Sequence, residues 1–222
     1  MKRLLVILLP LLLLGAAACL PAASLRSELF LDDDSLLTGE PCEAPCWNGI
    51  IPGETNWPDA LAIIEGDERL SNVEQASDEV AVQATWQKAD SGQPCCSMVA
   101  EGEDEPVIYI YLTLSPNTIL DDVLDRYGEP QYVTPFINGE EVGVQLLYPD
   151  IPMVLAVLTG NQDSSVLANS EVVAVFYMTP DVMTDIIENN ALLAWEGYQS
   201  FTHYAESEPI ITPVPTPEES SE

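Results

Sequence analysis

Residues 107–114 read Val-Ile-Tyr-Ile-Tyr-Leu-Thr-Leu. A run so rich in branched and aromatic side chains predicts the central strand of a sheet. A central strand needs partners, and the chain supplies them on both sides. Val80, Val82, Ala84 and Trp86 alternate with Ala81, Gln83, Thr85 and Gln87, the period of a half-buried strand. Asn138-Gly139 separates Gln131–Ile137 from Val142–Tyr148, which predicts a hairpin. Met153–Leu158 and Val172–Met178 follow as further strands, with Gly160 to Asn169 as their connection.

The helical signals are fewer and fall between the strands. After Gly53-Glu54-Thr55, Asn56 or Thr55 caps a short helix, with Pro58 in its first turn, Asp59 at the positive end of its dipole and Gly66 as its stop. Ala60, Leu61, Ile63 and Ile64 give it an apolar face. The same plan returns at Leu114-Ser115-Pro116-Asn117, where Asp121 and Asp122 open a helix that continues through Val123, Leu124 and Tyr127 and stops at Gly128 and Pro130. Thr179-Pro180-Asp181 starts a third helix reaching about Glu188. The pattern predicts a single α+β domain with an antiparallel sheet and short helices, arranged as two helix-plus-strands repeats.

Charge limits the partners. The 222-residue chain carries 37 Asp and Glu against six Lys and Arg. Such a surface repels nucleic acid, which is excluded as a partner, and favours a protein with a basic surface. Disorder would also require low hydrophobicity, whereas 47% of the residues are apolar. The predicted organisation is a signal peptide at 1–18, a tether at 19–40, a globular domain at 41–206, and an acidic Pro-rich tail at 207–222 with polyproline character.

Lys2 and Arg3 precede an apolar run from Leu4 to Ala18, which is too short for a spanning helix and suits an export signal. The run ends in Ala16-Ala17-Ala18 before Cys19 and resembles a bacterial lipoprotein signal, although Ala16 stands where that pattern usually has Leu. The resemblance implies that Cys19 is lipidated and that the domain sits outside the cytoplasm, held on the outer face of a bacterial membrane. The other four cysteines, Cys42, Cys46, Cys95 and Cys96, form an even set, as expected of disulfides in an exported chain. Bonds joining the 42/46 region to the 95/96 region are expected, in either order. A Cys95–Cys96 bond ranks last, because it closes a ring across one peptide bond.

Little else carries chemistry. His203 is the sole histidine, and no Gly-x-Ser-x-Gly elbow accompanies it. Asp121 and Asp125 share a helix face, which suits solubility better than acid–base work. Asp32–Asp34 and Glu101–Glu105 supply oxygen ligands for calcium without following a loop pattern for it. No phosphate-binding or dinucleotide-binding glycine motif occurs, so no catalytic residue, cofactor or metal site is assigned. Trp47, Trp57, Trp86 and Trp195 read as core, with Trp57 the one placed for exposure.

Pro45-Cys46-Trp47-Asn48-Gly49-Ile50-Ile51-Pro52-Gly53-Glu54-Thr55 resembles a segment of uncharacterised bacterial lipoproteins, as does Trp195-Glu196-Gly197-Tyr198. The Pro-Gly-x-Thr turn before a short helix, and Tyr127-Gly128-Glu129-Pro130 after the second, are also similar to small lipoproteins of the outer-membrane assembly machinery. The resemblance implies an α+β domain that binds other proteins and has no catalytic residues. The resulting expectation is a lipid-anchored binding or scaffold protein that is not an enzyme. The alternative is a cation-responsive or small-ligand module using the acidic loops.

Overall fold

In the computed structural model, which describes residues 24–212, the chain opens with a strap (24–43) containing one helical turn, α1 (Ser35–Thr38). The first repeat follows as α2 (Trp57–Gly66), β1 (Leu70–Ser77), β2 (Val82–Lys88), β3 (Pro94–Ala100) and β4 (Val107–Thr113). The second is α3 (Leu120–Tyr127), β5 (Tyr132–Asn138), β6 (Glu141–Tyr148), β7 (Met153–Leu158) and β8 (Val172–Met178). After it come α4 (Pro180–Asn189), β9 (Leu193–Ala194) and α5 (Phe201–Glu206). The strands form one antiparallel sheet in the order β1-β2-β3-β4-β8-β7-β6-β5-β9. Each repeat is thus a helix and a four-strand meander, and the two meanders meet through their last strands. Tyr109 lies opposite Met178 there, and Thr113 opposite Ala174.

Local chemistry explains the helix starts unevenly. Thr179 caps α4 as its sequence suggests, its hydroxyl accepting from the Val182 amide at 3.3 Å. Asn56 occupies the N-cap of α2 without a side-chain bond. Thr55 instead accepts from the Ile51 amide at 2.9 Å and closes the preceding turn.

Alternation along the strands separates two faces. The inner face carries Ala84, Trp86, Met98, Ile110, Leu112, Val175, Tyr177, Leu155 and Leu146, all buried in one core cluster. α2, α3, the strap and the 44–56 loop close over it through Trp57, Ile64, Val123, Phe30, Leu31, Leu36 and Ile50. Trp47 stacks on Trp86 at 5.8 Å between centroids and 17° between planes. Burying such a pair contributes several kcal/mol in transfer alone (about 25 cal/mol per Å2). Trp57, expected near the surface, is buried in this cluster. The outer face holds a smaller cluster, in which Met183 of α4 meets Leu147, Val154, Met178 and Leu192.

Two further expectations are corrected. Residues 24–40, assigned to a tether, are part of the fold: Phe30, Leu31 and Leu36 are buried, and Leu31 hydrogen-bonds to Thr113 and Ser115. Apolar residues at these three positions make docking more favourable than extension into water. Likewise Ile210 and Ile211 of the assigned tail donate to the Leu192 carbonyl. The signal segment 1–18, Cys19 and the tail residues 213–222 lie outside the described residues.

The disulfides also differ from the expected pairing. Cys42 bonds to Cys46 (Cα–Cα 5.7 Å) and Cys95 to Cys96 (Cα–Cα 3.7 Å), each within its own region. Neighbours in a regular strand point to opposite faces and cannot reach one another. The register of β2 against β3, however, slips between Trp86/Cys96 and Gln87/Pro94. Cys95 is the extra residue of that bulge, which breaks the alternation at the point where the bond forms.

Candidate functional site

The part of the sheet that no other described element covers is the outer face beside α4. Tyr109, Tyr111 and Phe176 come from β4 and β8 and lie against one another edge to face, with Phe176 centred 5.0 Å from Tyr109 and 6.2 Å from Tyr111. All three are half-buried. Thr85, Gln87 and Ser97 flank them toward β1, and Ala156, Thr134, Gln145 and Phe136 toward β9. Phe136 lies directly opposite Gly143. A Cβ at Gly143 would meet that ring and the Val157 carbonyl, so only glycine leaves room for the ring there.

No residue projecting from this face between β2 and β7 carries charge. The first acids stand at its margins, Glu74 on the edge strand and Glu141 at the start of β6. Burial pushes the Tyr109 phenol above its ordinary value and keeps it neutral. Where the face runs under α4, a pocket of about 200 Å3 opens between Thr134, Gln145, Leu147, Val154, Phe176 and Ile186. Cavities for drug-sized ligands or cofactors run from about 300 Å3 upward, so this one suits a single inserted side chain.

The basic residues form a second arrangement. The described chain has four, and each one ties the strap to the body. Arg26, itself in the strap, pairs with Glu171. Lys88 donates to the Glu28 carbonyl at 3.3 Å. Arg69 bridges Asp33 of the strap at 3.4 Å and Asp67 at 2.7 Å. Arg126 donates to the Leu37 carbonyl at 2.6 Å and pairs with Glu43. Asp33 also accepts from the Trp47 indole at 3.2 Å. The Arg69 guanidinium holds the Asp67 carboxyl below the usual range. At the start of the strap, Ser24 and the Leu25 amide donate to Glu141 at 2.8 and 2.6 Å. Burial alone would raise the Glu141 carboxyl, but these donors outweigh it and hold it below its ordinary value.

The remaining sequence candidates stay apart. His203 pairs with Glu196 at 2.8 Å on an exposed surface, and its amide is capped by Ser200. Asp121 accepts from the exposed Tyr198 hydroxyl at 3.1 Å. Asp32 accepts from Asn117 at 3.2 Å, while Asp33 serves the strap. Among the described residues, no three His, Cys, Asp or Glu side chains converge as a metal site would require. The Cys95–Cys96 bond is buried, its residues 3% and 4% exposed. Sequence reasoning did not pick out the outer face. Its signal was the alternation of Tyr109 and Tyr111 with the buried Ile110 and Leu112.

Comparison with protein-family models, with curated proteins and with solved structures finds no match.

Proposed function

We propose that this chain is a lipid-anchored, extracytoplasmic binding protein without catalytic activity, whose working surface is the open outer face of its sheet. The observation that carries the reading is a half-exposed aromatic face without charge in a chain of 37 acids. Aromatic residues with few charges at the centre and a charged rim are the composition of a protein-binding patch. The acidic surround, including Asp185 and Glu188 of α4, favours a partner whose own rim is basic and whose centre offers a side chain for the pocket. The anchor rests on the signal pattern ending in Cys19.

The test is photo-crosslinking in the cell envelope from Gln83, Tyr111 and Gln145 on the face, against Asn117 and Gln131 away from it. Discrete protein adducts from the face positions alone are expected. No adducts, or the same adducts from all five positions, would refute the face as the working surface.

A further inference from the structure

All five polar ties of the strap's first residues lie at one end of the sheet. Ser24 and Leu25 hold Glu141 at the start of β6, and Arg26 pairs with Glu171 just before β8. Ser27 donates to Gln93 just before β3, and Lys88 at the end of β2 donates to Glu28. Because the sheet is wholly antiparallel, the β2–β3 turn (89–93), the β5–β6 turn (139–140) and the β7–β8 loop (159–171) also lie at this strap end. The far end carries the turns 78–81, 101–106 and 149–152.

We propose that the strap end faces the lipid bilayer and the far end points away, so that the strands stand upright and the open face is presented sideways. This rests on the reading of Cys19 as the anchored residue. Two observations carry it further. Ser24 is fixed to the sheet five residues after Cys19, and five residues span at most about 18 Å. The strands are seven residues long, roughly 24 Å, so the far end lies beyond that reach.

Apolar exposure agrees: Leu29, Ile137 and Leu167 are 50%, 60% and 53% exposed, and all belong to the strap end. Val80, 77% exposed, is the one such residue of the far-end turns, and Ile210, 60% exposed, lies beside β9.

The experiment uses full-length protein in phosphatidylcholine vesicles with a nitroxide on the lipid headgroup. Single variants Ile137→Trp and Leu167→Trp are compared with Val80→Trp and Asp150→Trp. Fluorescence quenching at the first two should exceed that at the last two by about twofold or more, given ends roughly 24 Å apart. A Gly/Ser spacer of about 20 residues before Ser24, with a reach near 25 Å, should abolish the difference. Equal or reversed quenching, or a difference the spacer leaves intact, overturns the proposal. Intact mass of the same sample separates the two readings. Without acyl chains on Cys19 the anchor fails and the orientation falls with it, whereas acylated protein quenched at the far end defeats the orientation alone.

Discussion

The two faces of the sheet exclude charge for different reasons. The inner face excludes it because its side chains are out of water: Trp86, Ile110 and Met98 are fully buried, and an unpaired charge beside them would cost several kcal/mol. The outer face is wet, and Gln83 and Gln145 project from it exposed. Burial therefore does not forbid carboxylates there, and a chain with 37 acids would place some by composition alone. The difference teaches that burial explains the absence of charge on one face only, and that the proposed contact surface is what would explain it on the other.

The largest expected effect is on the inner face. Trp47→Ala removes one half of the Trp47–Trp86 stack and should cost about 3–5 kcal/mol, read from the urea midpoint. A loss under about 1 kcal/mol would break the contrast at its stronger side. The strap belongs to that side, so Leu36→Ala, at 2% exposure, should cost about 2–4 kcal/mol. A tether would lose nothing. Replacing Cys42 and Cys46 together with Ser should cost about 2 kcal/mol by loop-closure entropy, and replacing Cys95 and Cys96 about 1 kcal/mol. Either figure is well below the roughly 4 kcal/mol of bonds between the regions, so the stability series distinguishes the pairings. On the outer face, Tyr111→Ser should cost less than about 1.5 kcal/mol yet abolish the crosslinked adducts. A large destabilisation with adducts retained would place Tyr111 with the core residues.

The smallest effect is acid sensitivity at the start of the strap. Glu141 titrates below its ordinary value in the folded chain, so its contribution is complete above the unfolded carboxyl pKa and is lost as pH falls through the folded one. Hydrogen exchange at the Leu25 amide, relative to its intrinsic rate at each pH, should accelerate as pH falls through that window. In Glu141→Gln it should be faster at neutral pH and lose that dependence.

Much of the fold was legible, because strand periodicity and helix stops are local. Val107–Thr113 emerges as β4, the Asn138-Gly139 hairpin joins β5 and β6, and Thr179 caps α4. β1 was not legible. It is a polar edge strand, Leu-Ser-Asn-Val-Glu-Gln-Ala-Ser, broken by a register shift around Asn72 at φ 54°. β3 was hidden because its Cys-Cys pair reads as a crosslinking hub, while the bulge that permits the bond depends on a neighbouring strand. The strap was missed because Phe30, Leu31 and Leu36 have no period, and only the finished core explains them. The outer face required knowing which strands adjoin. Tyr109 and Phe176 are 67 positions apart in sequence and meet only through the β4–β8 pairing.

The four latching cations have one more consequence, which concerns proteolysis. Trypsin cuts after lysine and arginine, so between Ser24 and Thr212 its only sites are Arg26, Arg69, Lys88 and Arg126, the same four side chains that grip the strap. A protease must draw its target side chain into its own pocket, so a docked strap shields all four sites together and a released one exposes them together. Limited digestion thus reports directly on the latch. It leaves residues 127–222 as one uncut fragment bearing β5 to β8 and the pocket beneath α4.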